Sequence, residues 1–271
     1  MFLRFCVLLC WGMMVIFMAG SCNNYQKVLK SSDYDLKYQT AMELYKKKDY
    51  TRAYPLFEEL VSVKRGTTAA EDIYYYYCFC NYYMDDLVSA SYHFEQFAKT
   101  YPNSPRAEQA AYMVAYCYYL GSPQYSLDQT NSLKAIDQMQ VFINQYPSSA
   151  RVDTCNTLID QLRSKLERKS FESSMLYYKT MNYKAAIISL KNTLKDFPTT
   201  LYREEIMFTV LKSSFLLAEN SVDSKKAERY KNTMDAYYAF IDKFATGKDV
   251  REAEQIFENA RTAYSIFKPV N

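Results

Sequence analysis

Residues 90–105 read ASYHFEQFAKTYPNSP, and this stretch decides the fold. Ala90 and Phe94 stand four apart, so on a helix they lie one above the other on a single face. Tyr101-Pro102 then ends that helix, because proline lacks an N–H and pushes the residue before it out of helical geometry. Asn103-Ser104-Pro105 restarts one, offering a polar cap and a proline for the first helical position. The same grammar recurs at Ala135, Met139 and Tyr146-Pro147, and at Ala186, Leu190 and Phe197-Pro198. Phe244-Ala245 takes the marker's place in a further copy, while Ala53 and Phe57 open the series without an aromatic-proline ending. The marker returns about every 45 to 51 residues, as in a stack of helix pairs. In such a stack the small residue lets paired helices approach, and the large one fills the gap to the next pair.

Composition agrees with an all-α chain. Of 271 residues 28 are Tyr and 16 Phe but only 5 are Gly, and no sustained alternation of Val, Ile and Thr marks a strand. The 33 basic and 30 acidic side chains are spread evenly and leave a net charge of +3, which argues against a nucleic-acid partner. Markers and caps predict five helix pairs, at about 33 to 64, 69 to 101, 105 to 146, 150 to 198 and 201 to 245. A last helix, about 249 to 267, caps the stack. Ser148 and Ser149 are read as caps for the helix from Ala150. The third pair is interrupted from Gly121-Ser122-Pro123 through Asn131, a loop long enough to dock a partner.

The N-terminus reads as an export signal. Arg4 precedes an apolar stretch from Phe5 to Met18, too short for a comfortable membrane span. Ala19, Gly20 and Ser21 then lead to Cys22, similar to a bacterial lipobox, although Ala19 stands where a large aliphatic residue is usual. This divides the chain into a signal peptide, 1–21, a lipidated tether, 22–32, and a repeat domain, 33–268. Ordinary signal cleavage or an uncleaved anchor are the alternatives. Of seven cysteines, Cys78, Cys80, Cys117 and Cys155 remain beyond the signal and the proposed lipid site, and they are expected to be small buried thiols. Neither they nor the single histidine, His93, has metal-ligand spacing. No nucleophile-base-acid set or glycine-rich phosphate loop is present, so neither an enzyme nor a cofactor is expected. Glu58, Glu59, Glu71 and Asp72 are read as solvated helix faces.

The Ala53/Phe57 and Ala186/Leu190 pairs, with Asp49-Tyr50 and Asn182-Tyr183 three residues before each alanine, match the second helix and inter-helix turn of tetratricopeptide repeats. Behind a lipobox-like cysteine, five such repeats resemble the BamD family of outer-membrane β-barrel assembly lipoproteins. The third repeat adds Leu127-Asp128-Gln129-Thr130 before the helix ending at Tyr146-Pro147-Ser148-Ser149. The resemblance implies a tetratricopeptide-like superhelix, lipid-anchored at the outer membrane and facing the periplasm. It also implies contact with the periplasmic domains of a barrel-forming subunit and with unfolded outer-membrane protein segments. Arg203 is placed like an arginine of the family at which that subunit docks. Another periplasmic tetratricopeptide adaptor, serving envelope division or polymer export, is the alternative.

In tetratricopeptide repeats the first helix of each pair lines the concave groove. Projecting that frame gives Tyr38, Met42 and Tyr45 from the first pair, Tyr75, Phe79, Tyr82 and Tyr83 from the second, and Tyr112, Tyr116 and Tyr119 from the third. Tyrosine offers a large apolar face at low entropy cost and a hydroxyl that can meet backbone groups, which suits extended client segments. The competing reading is that the same tyrosines pack helices together.

Overall fold

The computed structural model describes residues 24–268. Among them the regular elements are α-helices: α1 Tyr34–Lys46, α2 Tyr50–Val63, α3 Ala70–Tyr83, α4 Leu87–Thr100, α5 Ala107–Leu120, α6 Thr130–Gln145, α7 Val152–Lys179, α8 Tyr183–Asp196, α9 Arg203–Glu219, α10 Asp223–Lys243 and α11 Val250–Phe267. A further helical turn occupies 24–29. The fold is an all-α, tetratricopeptide-like series of helix pairs closed by α11, and its boundaries follow the aromatic-proline markers.

Two compact units divide the chain. One runs through Pro123 and includes Thr130–Ile159; the other holds Gln124–Gln129 and the chain from Asp160. In the first, Ala53, Ala90 and Ala135 are fully buried, as are Phe57, Phe94 and Met139 four residues on. Ala186 and Leu190 repeat the arrangement in the second. One core of the first unit gathers Leu56, Phe57, Leu60, Ile73 and Tyr77, and another Phe79, Phe94, Phe97, Met113, Met139 and Phe142. The second unit is built on Phe171, Leu190 and Ile206, and on Phe208, Leu211 and Phe240.

The turn inside a pair is the same three times. Lys48, Asp85 and Met181 take left-handed backbone, with φ of 60°, 63° and 60°. Each precedes the residue that starts the second helix, Asp49, Asp86 or Asn182. Asp49 and Asp86 accept from the backbone N–H of Arg52 and Ser89, so they cap α2 and α4 through their side chains. The ending of a pair is equally regular. Tyr101, Phe197 and Phe244 are C-caps with φ of −123°, −125° and −134°, and Phe244 adopts this backbone with alanine, not proline, after it. Tyr101, Tyr146 and Phe244 lay their rings on Phe97, Phe142 and Phe240 one turn earlier, at 5.1, 5.3 and 5.6 Å.

The serines expected to cap the next helices act differently. Pro105 lies outside α5, which begins at Ala107 without a side-chain cap. Ser104 accepts from the Arg106 N–H at 3.0 Å and donates to Glu71 Oε1 at 2.6 Å, so its hydroxyl ties the end of one pair to the first helix of that pair. Ser149 does the same with Arg151 and Glu108, and Thr200 with Tyr202 and Glu167. Glu71 is therefore not a solvated helix face. Neither is Glu59, which pairs at 2.5 Å with Lys37, a lysine only 2% exposed, nor Asp72, described below. In the last copy Gly247 stands where the hydroxyl residues do, and Glu204 Oε1 is buried without a hydrogen-bond partner.

Candidate functional site

The sequence-predicted aromatic face lies on α1, α3 and α5 of the first unit, and its ten members fall into different environments. Phe79 is 6% exposed and meets Phe94 edge-on at 4.9 Å, and Tyr112 is 7% exposed. These two are core side chains. Tyr38, Met42, Tyr45, Tyr75, Tyr82, Tyr116 and Tyr119 are half-buried, and Tyr83 is 47% exposed. Toward the C-terminal ends of the helices the rings meet each other: Tyr50 stacks on Tyr83 at 4.4 Å, and Tyr45 meets Tyr76 at 4.9 Å. Tyr112, Tyr116 and Tyr119 form a stacked column along α5 at 5.5 and 5.9 Å.

Toward the N-terminal ends, polar groups join successive repeats, and among them Arg106, Gln109 and Arg151 carry no sign of that role in the sequence pattern. The Tyr38 hydroxyl donates to Asp72 Oδ2, and the Arg106 guanidinium donates to Asp72 Oδ1 at 2.5 Å. The same guanidinium lies 4.5 Å from the centre of the Tyr75 ring, whose hydroxyl donates to Gln109 Oε1 at 2.8 Å. Arg151 covers Tyr112 at 4.4 Å in the next repeat. In the second unit Tyr202 takes the arginine's place and stacks on Phe171 at 4.2 Å. Each covered ring follows the glutamate of the hydroxyl contact by four residues, so Glu-x-x-x-aromatic was the available sequence sign. An arginine over an aromatic face contributes about 0.5–2 kcal/mol, depending on desolvation.

Burial, with the adjacent Asp72 carboxylate, holds the Tyr38 phenol above its ordinary range, and burial does the same for Tyr45, Tyr82 and Tyr112. These phenols are neutral at physiological pH and offer ring faces and hydroxyls. Burial also pushes the thiols of Cys80 and Cys117 up to about 12 and raises Cys78 and Cys155, so all four buried cysteines are unreactive thiols. His93 accepts or donates at Nδ1 with the Tyr74 hydroxyl, 3.2 Å away, and packs edge-on against Tyr77. Among the described residues no group of three or more His, Cys, Asp or Glu could hold a metal ion, and no helix is long and apolar enough to cross a membrane.

In the second unit the loop 124–129 is held down by α7. Lys169 donates to the Leu127 carbonyl at 2.5 Å and Arg168 lies 4.1 Å over the Tyr125 ring, while the Leu127 side chain stays exposed. Between α8, α9 and α10 runs an open groove of about 540 Å³, floored by Ile187, Val210 and Ala236 and rimmed by Lys184 and Lys191. Arg203 opens α9, and its guanidinium donates to the Pro198 carbonyl. Cys22 lies outside the described residues.

Stacked helix pairs with one repeated inter-repeat contact define a tetratricopeptide-like helical-repeat protein. The chain belongs to the YfiO family of outer membrane lipoproteins, whose model matches residues 31–231. It is 24% identical over 126 residues to the outer membrane protein assembly factor BamD of Caulobacter vibrioides, a match covering 46% of this chain and 41% of that protein. The chain thus spans less than half the length of that curated relative. Among solved structures it is similar to the tetratricopeptide domain of P58(IPK), with a TM-score of 0.41 and 13% identity over 90% of this chain and 69% of that one. It is also similar to the TPR2AB domain of yeast Sti1 in its pHSP90 complex, with a TM-score of 0.38 and 12% identity over 85% of this chain and 99% of that one. Both are loose likenesses.

Proposed function

We propose that this chain is a scaffold of the outer-membrane β-barrel assembly machinery and not an enzyme. It is anchored through a lipidated Cys22 after removal of a signal peptide at 1–21, faces the periplasm, and holds the barrel-forming subunit and unfolded β-barrel segments. The observation that carries the reading is the family match over residues 31–231. The assembly-factor description of the relative supports the partners proposed. The aromatic face supports client binding. Its half-buried rings and neutral hydroxyls can cover apolar side chains of an extended segment and meet its backbone, with Tyr83 and Tyr119 at the accessible end. Partner docking is assigned to the C-terminal repeats around Arg203.

Co-purification from detergent-solubilised outer membrane tests this reading. An approximately stoichiometric barrel protein with periplasmic repeats is expected. Its absence, with division or polymer-export proteins in its place, would replace the proposal by a different tetratricopeptide adaptor. A mass spectrum of the membrane-extracted chain should show acylated Cys22 as its first residue, and Arg203→Glu should deplete the barrel subunit from the preparation.

A further inference from the structure

The start of the described chain is folded onto the first repeat. In the helical turn 24–29, Tyr25, Val28 and Leu29 pack against the core of α1 and α2, at the i, i+3, i+4 spacing of one face. The Tyr25 hydroxyl donates to the Arg52 carbonyl at 2.9 Å, and the Arg52 guanidinium lies 5.9 Å from the ring centre. Arg52 in turn pairs with Asp49. The chain therefore enters the fold beside the first turn of α2, next to the α1–α2 turn that carries Lys46, Lys47 and Lys48.

Those three lysines are exposed, as is Lys27 on the outward face of the entering turn. Nearby acids offset them little. Asp49 is engaged by Arg52, and Glu43 approaches Lys47 only to 4.0 Å, with both side chains at least 70% exposed. Lys27, Lys46 and Lys48 have no ion pair among the described residues. Lys46 and Lys47 lie at the C-terminal end of α1, where cations suit the helix dipole, but that accounts for neither Lys48 nor Lys27.

We propose that this basic turn is a membrane-contact surface that binds the anionic lipid headgroups of the leaflet holding the anchor. The proposal rests on the lipoprotein reading for its geometry. Only Asn23 lies between Cys22 and Asn24, two residue steps that span at most about 7 Å. An acylated Cys22 therefore holds the entering turn, with Lys27 on it, at the leaflet, and basic side chains that come within a Debye length of about 8 Å of it feel its surface potential. The packed Tyr25 shortens the free tether and so keeps the first repeat close to the membrane. A lipid anchor combined with a basic patch also holds a protein more firmly than either alone.

The test uses the mature chain from residue 22 with Cys22→Ser, so that no acyl chain contributes. Its binding is measured to vesicles of phosphatidylethanolamine with phosphatidylglycerol, and to vesicles with phosphatidylcholine in place of the anionic lipid. Binding is expected only to the anionic vesicles and should weaken as salt is raised. Lys46→Glu, Lys47→Glu and Lys48→Glu together should reduce it by about tenfold or more, from the effect of each lysine near an anionic surface. The control reverses Lys184, Lys191 and Lys195, exposed on α8 of the other unit, with the same change in net charge. Equal loss in both triple variants, or no preference for anionic vesicles, overturns the proposal, and thermal melts verify that both variants fold. The mass spectrum of Cys22 is a separate readout: an unacylated Cys22 defeats the lipoprotein reading whatever the vesicles show.

Discussion

At the scale of single residues, the hydroxyl contact between Ser104, Ser149 or Thr200 and a glutamate on the pair's first helix recurs in three successive pairs. Removing one hydroxyl leaves a carboxylate without that donor, so Ser104→Ala should cost about 1–2 kcal/mol in a urea titration. The last copy is the converse case. A Cβ on Gly247 would stand 2.3 Å from Glu204 Oε1, the far end of a flexible side chain that can swing aside, and Gly247 does not need left-handed backbone. Gly247→Ser should supply the missing donor and raise stability by roughly 1 kcal/mol, with part of the gain coming from a less flexible unfolded chain. His93 makes a pH prediction. Burial lowers its pKa below the ordinary 6.5, with Asp86 and Glu58 opposing weakly. The unfolded chain therefore binds the proton first as pH falls, so stability is full above pH 6.5 and declines as pH drops through the folded value. In His93→Gln the urea midpoint should fall less between pH 7 and pH 5 than in the parent; an identical slope would show that carboxylates alone set it.

At the scale of elements, the turn inside a helix pair stores strain. Left-handed backbone costs an L-residue about 1–2 kcal/mol, least for Asp or Asn, and Met181 has no polar side chain to offset it. Met181 is also 72% exposed, so replacing it sacrifices little packing. Met181→Gly should stabilise by about 0.5–1 kcal/mol, and Met181→Val should destabilise by more than 1 kcal/mol, because a β-branched residue tolerates this backbone least. Thermal melts of the two variants against the parent should move in opposite directions. The aromatic helix ends teach the same lesson from the other side. Phe244 stops α10 in the same conformation as Tyr101 stops α4, without a proline, because the ring packing on the previous turn is sufficient.

At the scale of the whole molecule, the ten-residue aromatic face separates into structural and accessible members, and the separation can be measured. Phe79→Ala should cost about 3–5 kcal/mol of stability, as expected for a buried aromatic, and lower client binding only through unfolding. Tyr83→Ala with Tyr119→Ala should leave the melting temperature within a few degrees of the parent. The pair should weaken binding of an aromatic-terminated β-strand peptide by about 1–2 kcal/mol, with little dependence on salt. If the pair binds the peptide normally, clients dock elsewhere and the stripe serves only to pack the repeats.

The architecture is legible in the residue pattern alone. Small and large residues four apart, aromatic ends and polar restarts are local, periodic constraints, and helix pairing follows from them because each amphipathic helix must bury its stripe against the next. That is why the predicted pair boundaries and α1 to α11 agree within a few residues, and why Ala53, Ala90, Ala135 and Ala186 could be placed in the core beforehand. Which tyrosines are core and which are surface is set by the packing of repeats, because residues one helical turn apart on one face differ only in what the neighbouring repeat lays over them. Arg106 and Arg151 cover Tyr75 and Tyr112, while Tyr83 has Tyr50 stacked on one face and stays 47% exposed. The same holds for Glu59, Glu71 and Asp72, whose partners lie 22 to 34 residues away along the chain. A charge pattern gives no sign of a partner at that separation, and only the stacking of repeats brings the two ends together.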